Sequence, residues 1–392
     1  MTADKPLFIS LIPNLMQGQG HIVPYHRAVQ QAITPLDWSY RVWIPALGAE
    51  KIEELDALEV APVLSDLDLE AEATSWEKIL RFPQSILWGQ PLAQALKRLL
   101  TEAATKDRPV ILFMERFVHW QLLGLTGAIW QLPSAQRQQL YLWLLYRRDV
   151  HHDKSLPLYQ WLHQRLFQAL GYPRCQFFTD SPPLQRSLQQ VFQVPVTVMP
   201  IPHTDFPETR SLSSQPESIY CWWPGAPREE KGWSVLRQLV THTAPQETPI
   251  HLVVAEAAQL QPHPQSVNLI TVNDRLSRED YANWLDRSQI ILLPYDEVAY
   301  QERTSGIFTE AIIAGRIPLV TAGTWMAQEL APFELQDLII DWADGEAVWK
   351  QIPKILADAD LQQRLQTMQQ AYRDFHSLAG YGRQFQQQWQ GH

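Results

Sequence analysis

Two carboxylates, Glu302 and Glu310, stand with seven residues between them in YDEVAYQERTSGIFTEAIIAGRIPLVTAG (295–323). The apolar run 290–296 predicts a strand ending just before them, a loop that carries Glu302, and then a helix that carries Glu310. At helical spacing Ile307, Glu310 and Ala314 share one face. Phe308, Ala311, Ile312 and Ile313 cover the other sides, so the helix is expected to be buried. A buried carboxylate needs partners or it loses its charge. The sequence offers two readings of that partner: a ligand, or an ordinary ion pair with Arg303 or Arg316. Cations are available in a second segment, PGAPREEKGW (224–233), where Arg228 and Lys231 lie close to Gly232. Two cations at a helix entry can neutralise an anion. The plainer reading is a solvated charge run.

The 295–323 segment resembles the paired-Glu signature of retaining glycosyltransferases of the GT-B fold, of the family 4-like, group 1 type. Its context matches as well: an apolar strand (IILLPYD, 290–296) before it, Ser305-Gly306 at the helix entry, and Gly315 with Pro318 after it. The resemblance implies that Glu302 approaches the donor sugar and Glu310 holds the ribose of a nucleotide. It implies that Thr304, Ser305 and Gly306, with the amides at the helix start, face the pyrophosphate, as helix N-termini favour anions. Arg228 and Lys231 would then hold the diphosphate and stabilise charge as it leaves. GQGH (18–21), after the first apolar run, resembles the glycine-rich loop of the N-terminal domain. Gly18 and Gly20 would let backbone approach a ligand closely. His21 is either a substrate contact or the cap of the next helix. The implied activity is hexosyl transfer with retention from a nucleotide-sugar donor, without a metal or other cofactor. The acceptor stays open among a lipid, a polysaccharide and a small molecule. The rival readings are an inverting GT-B transferase, a nucleotide-sugar epimerase, and a two-lobed binding protein without turnover.

Further polar clusters follow the apolar runs. Glu115, Arg116 and His119 come after 110–115, where acceptor contacts are expected, although His119 reads best as a satisfied helix histidine. Arg147, Arg148, Asp149, His151 and His152 follow 141–149 and either bind acceptor or face water. Asp66-Leu67-Asp68 spells a metal–nucleotide motif of a different glycosyltransferase fold. With no strong strand before it, it reads as a solvated surface segment. Ser277 with Asp280 reads as a helix cap, and Asp180-Ser181 before Pro182 as another.

The elements that must hold these residues are legible as apolar runs: 7–13, 40–46, 110–115, 141–149, 175–181 and 196–202, then 218–225, 250–256, 269–274, 290–296, 317–323 and 338–344. Such continuous runs suggest strands buried on both faces of parallel sheets, alternating with helices. The fold class is therefore α/β, with two Rossmann-like domains whose parallel sheets face across a cleft. The expected division is an acceptor-binding domain over 1–203, a nucleotide-sugar-binding domain over 204–375, and a last helix over 376–392 that crosses back to the first domain. The Pro- and Ser-rich stretch 200–218 is the expected linker.

At 392 residues, with 45% apolar and 19% charged residues, the chain is long enough for two cores and too apolar to be disordered. A net charge of −10 argues against a general nucleic-acid binder. Two cysteines, Cys175 and Cys221, exclude a disulfide framework and read as buried thiols. The 16 Trp residues are too many for the core alone, so some are expected at the surface. No signal peptide or membrane span is apparent, and a cytoplasmic protein is expected, with peripheral contact to a membrane surface left open.

Overall fold

A computed structural model describes residues 5–15, 22–49, 58–71, 75–105, 108–147, 149–202, 216–245 and 247–391. The glycine-rich loop with Gly18, Gly20 and His21, most of the expected linker, and Arg148 lie outside the described residues. The chain divides into two compact units, Met1–His203 with Leu378–His392, and Thr204–Ser377.

The first unit runs β1 (Leu7–Leu11), α1 (Ile22–Ile33), β2 (Ser39–Pro45), α2 (Ala46–Ala49), β3 (Val60–Leu64), α3 (Ser75–Ala104), β4 (Val110–Glu115), α4 (His119–Trp130), α5 (Ser134–Arg137), β5 (Leu140–Tyr146), α6 (Leu156–Leu170), β6 (Cys175–Thr179), α7 (Pro182–Phe192) and β7 (Val196–Val198). Its seven described strands are ordered β3-β2-β1-β4-β5-β6-β7, all parallel. Every residue of β1, β4 and β6 is buried, because helices cover both sheet faces.

One strand, β3, has no counterpart among the apolar runs. Its sequence VAPVL carries Pro62, which a central strand would not tolerate, and it takes the edge position where a missing N–H costs little. This corrects the reading of Asp66 and Asp68, which do follow a strand. Their carboxylates serve backbone: Asp66 Oδ1 accepts the Leu47 N–H of α2 at 2.8 Å, and Asp68 Oδ1 closes a local turn by accepting those of Glu70 and Ala71 at 3.0 Å.

The second unit runs β8 (Ile219–Trp222), α8 (Trp233–Leu239), β9 (Ile250–Ala255), β10 (Asn268–Val272), α9 (Arg278–Arg287), β11 (Ile290–Leu293), α10 (Gly306–Ile313), β12 (Ile317–Thr321), α11 (Trp325–Leu330), β13 (Ile339–Ile340), α12 (Gly345–Ala357) and α13 (Ala359–His376). Its six described strands, all parallel, are ordered β10-β9-β8-β11-β12-β13. In both sheets the order reverses beside the first strand, between β1 and β4 and between β8 and β11. In open α/β sheets the carboxyl edge beside such a reversal is where ligands bind.

The last helix, α14 (Leu378–Gln390), belongs to the first unit. Its Phe385 ring lies 5.1 Å from Phe8 and 5.8 Å from Phe113, and stacks on Trp143 at 5.6 Å. Both cysteines are buried and free. Trp130 and Trp161 are exposed, whereas Trp88, Trp143, Trp222, Trp223, Trp325 and Trp349 fill the cores. Among the described residues no helix is long and apolar enough to cross a membrane.

Candidate active site

The paired-Glu segment and the Arg228–Lys231 segment meet at the strand-order reversal of the second unit. From β8 the chain passes through Trp223 to a single 3-10 turn, Glu229–Lys231, and then to Gly232. Gly232 sits at φ +81°, and a Cβ there would lie 2.0 Å from the carbonyl oxygen of Pro294. Only glycine fits, and the loop after β8 can therefore press against the loop after β11. One hydrogen bond braces the loop after β8 internally and a second ties it to the loop after β11. Trp223 Nε1 donates to Lys231 O at 3.0 Å, and Asp296 N donates to Glu230 O at 3.0 Å.

Lys231 is thereby held at this carboxyl edge, its Nζ 5.7 Å from the centre of the Tyr295 ring. Burial first, and the repulsion of Arg228 second, push its pKa down to about 8. An ammonium so poorly hydrated gains strongly from an anionic ligand. Arg228 is more exposed and pairs with Glu230 Oε1 at 3.2 Å. The solvated charge run thus describes Arg228 better than Lys231.

After β11 the chain turns through Asp296, whose Oδ1 accepts the Ala299 N–H at 2.7 Å. Trp325 N donates to Tyr300 O at 2.7 Å and ties this loop to α11. Glu302 is half-buried at the end of the loop, and Thr304 is also half-buried. Ser305 caps α10, its Oγ accepting the Phe308 N–H at 3.2 Å, and Gly306 opens the helix.

Glu310 is buried on α10, as the all-round apolar helix required. Its side-chain partner is neither arginine of the plainer, ion-pair reading. Arg316 donates to the carbonyls of Ala314 at 2.9 Å and Asp286 at 3.2 Å, and Arg303 lies over the Tyr300 ring at 5.2 Å. Instead Tyr281 of α9 donates its hydroxyl to Glu310 Oε2 at 2.6 Å. Burial raises the Glu310 pKa to about 7, while Tyr281, Arg278 and Lys231 act to lower it. Tyr281 was not legible as a site residue. Its place four residues after the N-cap Ser277 and four before buried Leu285 marks only a core-facing position.

The carboxyl edge of the first sheet holds a second polar cluster. Glu115 ends β4, Arg147 follows β5 and Asp180 follows β6. Arg147 Nε lies 3.0 Å from Glu115 Oε2 and 3.7 Å from Asp180 Oδ2. The guanidinium also covers the Tyr25 ring at 4.4 Å, and Tyr25 shares a 2.7 Å hydrogen bond with Tyr381 of α14. His26 Nε2 is 3.7 Å from Glu115 Oε1. Burial, with help from Arg147, lowers the His26 pKa to about 3, so the imidazole is neutral. Arg147 faces carboxylates, Asp180 among them, and Ser181 caps α7. His119 begins α4 against Trp120 and Tyr159, and the His151 and His152 rings lie 4.0 Å apart, tilted by 44°.

Two Rossmann-like units, each with a parallel sheet that reverses order beside its first strand, define the GT-B class of architecture. Solved structures with this architecture resemble the whole chain. A glycosyltransferase from Rickettsia africae ESF-5 is similar over 99% of this chain and 99% of its own, at a TM-score of 0.61 and 10% identity. HepE of Anabaena, solved in complex with UDP, is similar over 99% and 100%, at 0.61 and 11%. The glycosyltransferase SnogD from Streptomyces nogalater is similar over 98% and 99%, at 0.53 and 15%. At such identities the likeness is one of fold. No protein-family model and no curated protein matches the sequence.

Proposed function

We propose that this protein is a glycosyltransferase that takes a hexosyl group from a nucleotide-sugar donor, held on the second unit, and transfers it with retention of configuration. One observation carries the reading. The loop after β8 and the segment after β11, pressed together at Gly232, bring a half-buried ammonium of lowered pKa and a buried carboxyl of raised pKa to one carboxyl edge. A nucleoside diphosphate supplies what each lacks: phosphate oxygens for Lys231 and ribose hydroxyls for Glu310. In this reading Lys231, Arg228 and the amides at 305–307 neutralise charge on the departing diphosphate, and no metal is called for. Glu302 steadies the positive charge that builds on the sugar ring. Thr304, Ser305 and Gly306 line the phosphate side.

Inversion is supported by a different observation, the contact between His26 and Glu115, since an imidazole beside a carboxylate is the usual form of a general base. The burial of His26 counts against it, because a ring with a pKa of about 3 is a poor proton acceptor at neutral pH. A thermal-shift screen of UDP-, GDP- and ADP-sugars tests the donor class, and NMR of the product anomer separates retention, inversion and epimerisation. Glu302→Ala is expected to abolish transfer with nucleotide affinity nearly intact, whereas Glu310→Ala weakens nucleotide binding. Unchanged activity and affinity in both variants would refute the proposal.

A further inference from the structure

We infer that Tyr281 is a positioning residue for the nucleotide: by donating to Glu310 Oε2 it fixes the carboxyl so that Oε1 is the oxygen presented to a pair of ribose hydroxyls. The inference deepens the donor-site reading and rests on it. The hydrogen bond is 2.6 Å long and joins a phenol to a buried carboxyl. The Tyr281 ring is itself held against buried Trp222, with centroids 4.9 Å apart. Trp222 is the last residue of β8, so the phenol is braced by the strand that also delivers the Lys231 loop.

The other charged or titratable groups that face Glu310 are Arg278 on α9, Lys231 after β8 and Tyr295 after β11. From α13, Gln369 and Arg373 both donate to Ile313 O at 3.0 Å, at the far end of α10. Tyr281 is thus a direct hydrogen-bond donor to a carboxyl that burial pushes toward its protonated form. A protonated carboxyl offers a proton where the ribose diol needs an acceptor. The phenol opposes that by stabilising the ionised form. Tyr281 therefore fixes both the orientation and the charge of Glu310, while the hydroxyl itself stays protonated, because burial and the adjacent carboxylate hold its pKa well above the phenol range.

The test uses the full-length protein as wild type, Tyr281→Phe, Glu310→Gln and the double variant, with UDP titrated by calorimetry from about pH 6 to about pH 9. Taking the ratio of wild-type to variant affinity at each pH cancels the ionisation of UDP. Tyr281→Phe is expected to weaken UDP binding about tenfold at neutral pH, the size of one charged hydrogen bond. The deficit should shrink toward pH 9, where Glu310 ionises without help. In the Glu310→Gln background Tyr281→Phe should change nothing further. A deficit that is constant with pH, or undiminished in that background, would overturn the inference and leave a packing role.

A ligand-free readout keeps it testable if UDP fails to bind. Removing the phenol raises the folded-state pKa of Glu310, so the melting-temperature gap between wild type and Tyr281→Phe should widen as pH rises above about 7. The gap should stay flat when both proteins also carry Glu310→Gln. A flat gap in both backgrounds sinks the inference on its own. A widening gap together with unchanged UDP affinity in Glu310→Gln sinks the ribose role and, with it, the donor reading.

Discussion

Lys231 and Glu310 set opposite limits on ligand binding. Lys231 is depressed to about 8, so its ammonium is lost as pH rises through that value. Glu310 is raised to about 7, so its carboxylate is lost as pH falls through that value. UDP affinity is therefore expected to be greatest between about pH 7 and about pH 8, with proton uptake on binding at the alkaline end. Calorimetry in buffers of different ionisation enthalpy measures the uptake. Lys231→Met should remove the alkaline limb, and a limb that survived would assign it to another group. The signs for the ligand-free protein follow the same shifts. Glu310 favours folding below its unfolded value of 4.5 and loses that contribution as pH rises through about 7. Lys231 favours folding above 10.5 and loses that contribution as pH falls through about 8. Both groups therefore weigh against folding at neutral pH, and a ligand that matches them relieves both. In the first unit, Arg147→Met would remove the cation that buried Glu115 and Asp180 share. A loss of about 3 kcal/mol is expected, the usual effect of removing one partner of a buried pair. Denaturant unfolding that gave no loss would show that the carboxylates simply take up protons.

Loop geometry decides the site at the scale of elements. The turn at Gly232 combines a left-handed φ with a close approach to Pro294, so Gly232→Ala must move one loop away from the other. The left-handed φ alone costs about 1 kcal/mol, and the backbone clash adds to it. Nucleotide affinity should fall along with the melting temperature. A variant that lost only stability would place Lys231 outside the ligand site. Ser305→Ala removes the cap of α10 and should cost about 1 kcal/mol, read by denaturant unfolding. Much of this scale was legible. The apolar runs give every described strand except β3, and the caps at Ser181 and Ser277 follow from local side-chain chemistry, whereas Ser305, expected on the phosphate side, proves to cap α10. The missed strand is half-exposed and carries a proline, so it lacks the continuous apolar signal of a strand covered on both faces. Tyr281 was missed for another reason. Its partner is 29 positions away, and no local pattern encodes which carboxyl a core-facing phenol will meet.

Each unit builds its core as a single layered sheet, and the C-terminal helix is part of the first. Phe385 fills the space among Phe8, Phe113 and Trp143, and Tyr381 reaches the ion cluster through Tyr25. A chain ending at Ser377 is therefore expected to lose the first unit's cooperative unfolding while the second unit keeps its own. Calorimetry would show the loss of one of two transitions, and two intact transitions would mean that α14 only decorates the surface. Phe385→Ala is the milder version, expected to cost about 3 to 5 kcal/mol in the first unit.

The sequence by itself determined the period and the punctuation: buried parallel strands, helices between them, a carboxylate that had to be buried at position 310, and cations next to a glycine. These are local consequences of side-chain burial and backbone freedom, readable within a few residues. Which groups meet was decided only by the tertiary structure. Strand order placed the Lys231 loop beside the Glu310 helix, set Tyr281 against Glu310, and gathered Glu115, Arg147 and Asp180 from the ends of three separate strands. The physical reason is that pairing across a sheet depends on the free energy of packing the whole layer, which no short window of sequence contains.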